Sequence, residues 1–140
     1  MTAPFVICPY CHRPAALCTG ADIYPHRYDL AGKNFWRCQP CGAWVGCHPA
    51  AQGKNRGLGD GTVPMGRLAN SQLRREKQHA HQAFDALWLN DPDRRGARDR
   101  AYRWLADTLG MKPAICHIGM FDVQQCRAVV AAVQQRRLAA

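Results

Sequence analysis

The sequence predicts an α+β protein: a small N-terminal zinc ribbon of short antiparallel strands packed on a three-helix C-terminal domain. Three observations carry that prediction. Two C-x-x-C pairs, Cys8-Pro9-Tyr10-Cys11 and Cys38-Gln39-Pro40-Cys41, stand early in the chain. Strand-like runs surround both pairs. Beyond residue 70 the apolar residues recur instead at helical spacing. The organisation that follows is a zinc ribbon over residues 1–50, a Gly/Pro-rich connector over 51–69 and a helical domain over 70–140.

A chain of 140 residues suits one compact domain, or one domain carrying a small metal module. No run approaches the roughly 20 apolar residues of a membrane span. The opening Met1-Thr2-Ala3-Pro4-Phe5 has neither a basic start nor an apolar signal core. The expected location is the reducing cytoplasm, where eight cysteines serve as metal ligands or buried thiols rather than disulfides.

Thiolates two residues apart on a tight turn take two corners of a tetrahedron around Zn²⁺. Two such pairs fill all four corners, so Cys8, Cys11, Cys38 and Cys41 are expected to hold one structural zinc. Two disulfides, or a redox C-x-x-C, are the competing readings. The redox reading wants one such motif at a helix start in a βαβ unit, whereas the surroundings here read as strand and turn. Gly42 follows the second pair, where a positive φ is often needed. His12 occupies the same place after the first pair and tolerates that conformation less well.

Residues 15–24 read as two short strands or a bent one. Residues 25–33 read as a loop, 34–38 as a returning strand and 43–47 as the last strand. A ribbon this small buries little surface, so the metal must supply most of its stability, on the order of 10 kcal/mol. Residues 49–66 hold five glycines and two prolines without a hydrophobic period. That stretch is ordered only if something packs on it.

A helix is expected over 70–89, capped by Asn70 or Ser71, with Leu73, Ala80, Ala83, Phe84, Leu87 and Trp88 on one arc. Asn90-Asp91-Pro92-Asp93 ends it and starts the next, since proline suits a first turn. Over 94–109 the buried side is Ala97, Ala101, Tyr102, Trp104, Leu105 and Leu109, and Gly110 is the stop. A third helix starts at Asp122, where Gln125 three residues on completes a capping box. Its stripe is Val123, Cys126, Val129, Val130 and Val133.

The formal net charge is +9, which points to a polyanionic partner, most often nucleic acid. The residues expected to meet it are Arg74, Arg75, Lys77, Arg94, Arg95, Arg98 and Arg37. The competing view is that these are solvated faces. Tyr10, Tyr24, Phe35, Trp36 and Trp44 could stack on bases, but in a tiny ribbon aromatics more often form the core.

A second set of reactive side chains remains. Cys47, His48, Cys116 and His117 are ligand types and would form a second metal site if their loops met. His81 and Asp85, one helical turn apart, would with His117 supply a catalytic trio. The bland reading makes all of them structural, and Cys18 and Cys126 core thiols.

Several stretches together resemble an uncharacterised zinc-finger-containing domain family of bacteria and their phages. They are Cys8-Pro9-Tyr10-Cys11, Cys38-x-x-Cys41 with Val45-Gly46-Cys47-His48-Pro49, and Gly66-x-Leu68-Ala69-Asn70. Leu73-Arg74-Arg75, His81, Phe84-Asp85, Ala101-Tyr102-x-Trp104-Leu105-Ala106 and Cys116-His117-Ile118-Gly119-Met120-Phe121-Asp122 complete the set. The resemblance covers nearly the whole chain and implies a zinc ribbon plus helices. It implies no activity. The first pair departs from a C-P-x-C-G form at His12, while the four ligands remain.

The functional expectation is a basic zinc-ribbon protein that binds nucleic acid, DNA or RNA, or a nucleic-acid-associated complex, with a protein partner also open and no membrane. Two alternatives stand beside it. One is a metal-dependent hydrolase or nuclease built on His81, Asp85, Cys116 and His117. The other is a phage or mobile-element protein that binds and modulates a host protein.

Overall fold

The computed structural model describes residues 6–52 and 57–139. The opening five residues and the Gly53–Arg56 part of the expected connector lie outside the described residues. The chain forms two compact units, Met1–Ser71 and Gln72–Ala140.

The first unit is built on a three-stranded antiparallel sheet in the order β1-β2-β3. The strands are β1 (Ala16–Thr19), β2 (Asn34–Cys38) and β3 (Ala43–Gly46). Leu17 lies opposite Trp36 and Trp36 opposite Val45; Cys18 lies opposite Phe35 and Phe35 opposite Gly46. Residues aligned across strands share a face, and neighbours along a strand point to opposite faces. In the central strand both Phe35 and Trp36 are buried, so both faces of the sheet are covered. On one face Tyr24 meets Phe35 and Trp44 edge-on, at 5.9 and 6.1 Å between ring centres. On the other, Trp36 packs with Cys8, Cys38, Ala43 and Leu68.

Residues 15–24 do not form a second strand. After β1 the chain makes a single helical turn, α1 (Gly20–Ile23). Asp22 starts it by accepting from the Thr19 N–H at 3.1 Å, the action of an acidic residue at a helix entry. Gly20 is required there: its N–H donates to the Lys33 carbonyl at 2.9 Å, and a Cβ would run into the Leu30 carbonyl.

The described part of the Gly/Pro-rich stretch from residue 57 onward finds its packing on the sheet. Trp36 Nε1 donates to the Thr62 carbonyl at 2.7 Å and Asn34 Nδ2 to the Gly61 carbonyl at 2.9 Å. Met65 N–H donates to the Gly46 carbonyl, and Trp44 and Ala69 exchange a pair of backbone bonds. A segment without hydrophobic period is ordered here because sheet residues satisfy its backbone groups.

The second unit is carried by α2 (Ser71–Asp85), α3 (Arg94–Leu109) and α4 (Val123–Ala139). α2 stops four residues short of the expected residue 89. There the Leu87 and Trp88 N–H groups reach back only three residues, to Phe84 and Asp85, and such i→i+3 bonds tighten a last turn into its exit. Asp93 caps α3 by accepting from Gly96 N–H at 3.2 Å. Gly110 ends it in the left-handed region at φ 66°, with Met111 N–H reaching back to the Ala106 carbonyl at 2.8 Å. The Asp122–Gln125 capping box forms in both directions, at 3.0 and 2.8 Å. Phe84, Leu105, Ile118, Phe121, Cys126, Val129 and Val133 are at most 1% exposed, so this unit closes around an apolar core of its own.

Candidate metal centre

Each knuckle is a tight turn, the first enclosed by the Ile7–Pro14 bridge and the second at the end of β2. In the first, Cys8 N–H donates to the Arg13 carbonyl and His12 N–H to the Cys8 carbonyl, both at 2.9 Å. The Tyr10 N–H points at Cys8 Sγ at 3.4 Å. The second lies in the turn joining β2 to β3, where Gly42 N–H donates to the Gln39 carbonyl at 3.1 Å. Both knuckles finish in the left-handed region, Gly42 at φ 61° and His12 at φ 63°. The same backbone bend is thus made once by glycine and once by a residue with a Cβ.

The four sulfurs of Cys8, Cys11, Cys38 and Cys41 all lie within 4.8 Å of one another. A tetrahedron with Zn–S bonds of about 2.3 Å has S···S edges of about 3.8 Å, and Cys11 and Cys38 stand 3.6 Å apart. The donor set and its size therefore fit Zn²⁺. Four thiolates fill a tetrahedral ion completely, so this is a closed, structural zinc site with no corner for water or substrate. The crowding is visible in the thiols themselves. Backbone donation from Arg13 lowers the Cys11 pKa to about 7. Cys41 is pushed up to about 12, first by its contact with Cys38 and then by burial. A divalent cation resolves that competition by taking all four as thiolates.

The chain belongs to the zinc-finger-containing domain family, whose model matches residues 4–136. Neither the curated proteins nor the solved structures include a significant match to it.

The remaining candidate residues fall as follows. Cys47 and His48 leave β3 in the first unit, where Cys47 packs against the ribbon core. Burial first, then the charges of Cys18 and Asp60, raise the Cys47 thiol to about 11. His48 donates its backbone N–H to the Val63 carbonyl at 2.8 Å. Together with Lys33 and Asp60 these two residues line a hollow of about 390 Å³. Cys116 and His117 belong to the second unit; Cys116 is buried and His117 exposed, its ring 6.1 Å from that of Tyr102. His81 and Asp85 lie one turn apart on α2. The packing around the exposed His81 holds its pKa below the ordinary histidine value, while Asp85 pulls the other way. Within each unit, among the described residues, no set of three His, Cys, Asp or Glu donors other than the four knuckle cysteines gathers within 4.8 Å. Cys126 is buried and raised to about 11 by that burial; Cys18 is half-buried.

The cationic candidates divide by what they touch. Arg75, Arg94 and Arg95 are exposed. Lys77 Nζ donates to the Gly119 carbonyl at 2.6 Å and so ties α2 to the turn before α4. Arg98 lies over two rings, 5.7 Å from Trp88 and 4.9 Å from Tyr102. Arg37 is half-buried in β2 between Ala16 and Trp44. One pairing was not foreseen: Arg136 of α4 stands over Trp104 of α3 at 4.8 Å. The two residues lie on different helices, and no local pattern marks a contact of that range.

Proposed function

We propose that this structural-zinc protein binds nucleic acid, or a nucleic-acid-associated complex, through the arginines of its helical unit and the ribbon surface. The observation that carries the reading is charge placement. α3 and α4 hold eight arginines against two aspartates, Asp99 and Asp107, and α4 holds no acid at all. Arg94, Arg95, Arg98, Arg100, Arg103, Arg127, Arg136 and Arg137 are all exposed. So large an excess of one sign on neighbouring helices attracts a polyanion and releases its counterions on binding. Arg74, Arg75, Lys77 and Arg37 extend the candidate contact set beyond these helices.

The zinc fixes a surface and does no chemistry in this reading. The thiolates it needs are those a reducing cytoplasm preserves. No helix among the described residues is long and apolar enough to cross a membrane. The test is binding of the zinc-loaded chain to single- and double-stranded DNA and RNA across a salt series. The expected result is an affinity that falls steeply as salt rises, with a shallower slope for Arg74/Arg75→Ala. No binding to any form at low salt, by folded protein with one zinc, sinks the reading.

A further inference from the structure

The seam between α3 and α4 carries two hollows on either side of one aromatic ridge. Trp104 and Arg136 line both hollows, which measure about 520 and 430 Å³. Thr108 and Gln135 border the larger one, and Arg100 and Asp91 the smaller. Trp104 is half-buried, and the guanidinium over it belongs to an exposed arginine near the end of α4. Arg100 stands 4.0 Å from Asp91, so one acid sits within an otherwise cationic rim.

We infer that this seam is a subsite for unpaired nucleotides, with Trp104 and Arg136 as its stacking ridge and Arg100 and Arg136 as its phosphate contacts. The inference rests on the nucleic-acid reading above and gives it a form preference. Three physical points lead to it. A guanidinium placed 4.8 Å over an indole ring has already lost much of its rotamer freedom, so it can stack on a base or bind phosphate with little further ordering. Two recesses beside a ridge accept two flat groups in succession, which is what adjacent bases of a strand present. A duplex keeps its base faces inside the stack and offers this seam only its backbone; a single strand offers both faces and phosphates. Gln135, exposed at the rim, supplies a donor and an acceptor for a base edge.

The test measures binding of the full zinc-loaded chain to a short oligouridylate and to an RNA hairpin duplex of equal phosphate count. Arg136→Gln should weaken single-strand binding about tenfold and duplex binding no more than about twofold. Arg94→Gln removes the same charge from the other end of α3 and should weaken both forms alike. Trp104→Leu should reproduce the Arg136→Gln pattern. Since Trp104 is half-buried, its helicity is checked by circular dichroism, and the Arg136→Gln result stands by itself if that variant unfolds. Photocrosslinking of a thiouridine-labelled single strand should mark the α3 segment containing Trp104. If wild type binds RNA but Arg136→Gln leaves single-strand affinity unchanged, or weakens both forms equally, the subsite is wrong and the broader reading survives. If wild type binds neither RNA form at low salt, the subsite falls, and the broader reading falls with it only if single- and double-stranded DNA are not bound either.

Discussion

The two units of this chain solve the same problem with different means. The first has a sheet of three short strands and a small cluster around Trp36, Leu68 and the knuckle cysteines. The second closes three helices around large apolar side chains such as Phe84, Leu105 and Phe121, none more than 1% exposed. A small ribbon cannot bury enough surface to offset its chain entropy, so the metal–thiolate bonds must. The helical unit needs no such bonds. The contrast teaches that cysteines at the same burial do different jobs: Cys8 is fully buried as a ligand, Cys126 as an apolar filler.

The largest expected effect tests that contrast directly. Stripping zinc with a strong chelator, or Cys38→Ser, should unfold the first unit, a loss on the order of 10 kcal/mol. The near-ultraviolet signals of Trp36 and Trp44 should vanish while most far-ultraviolet helical signal remains. Joint collapse of both signals would break the division into a metal-held and a core-held unit.

Next in size is the reverse experiment. Leu105→Ala, in the core of the second unit, should destabilise the helices by about 2–5 kcal/mol. Zinc content, measured by elemental analysis, should stay at one per chain. A drop in bound zinc would show that the core also supports the ribbon.

A smaller effect separates the two knuckles. His12 adopts φ 63°, a region costing a residue with a Cβ roughly 1 kcal/mol or more. His12→Gly should therefore raise the melting temperature of the zinc-loaded ribbon, with a gain of about 1 kcal/mol at most. Unchanged or lowered stability would mean that the imidazole makes a compensating contact.

The smallest is a pH effect confined to the helices. The folded pKa of His81 lies below its ordinary value, so the folded state disfavours the proton. Its contribution to stability is complete above about pH 6.5 and is lost as pH falls through the lower folded value. Denaturant midpoints for α2–α4 should decline over that window, and His81→Gln should flatten the decline. An identical slope in the variant would assign it to another group.

Much of this was legible in the residues, for physical reasons that differ by element. Ligand spacing reports geometry almost directly, so the four zinc cysteines could be read from the two C-x-x-C pairs. α3 was readable end to end because Asp93 and Gly110 mark its limits with side-chain and backbone chemistry of their own. Of the two short strands, or one bent strand, read over residues 15–24, only β1 forms, because Gly20 is selected by a distant carbonyl, that of Leu30, which no local window contains. The order of residues 57–69 was equally hidden, since Trp36 and Asn34 of β2 provide its partners. Trp104 was legible as a buried-side residue, but its partner Arg136 stands on another helix, outside any local window.

The bend at His12 has a consequence for how metal enters and leaves. The second knuckle forms within a single β2–β3 hairpin, whereas the first must be brought in from across residues 12–37, a larger loop to close. The strained leaf of the clasp is thus also the one whose closure costs more chain entropy. Zinc exchange should run through opening at Cys8 and Cys11 while Cys38 and Cys41 keep their grip, and His12→Gly should slow metal release to a competing chelator. A faster release in that variant would place the hinge at the other knuckle.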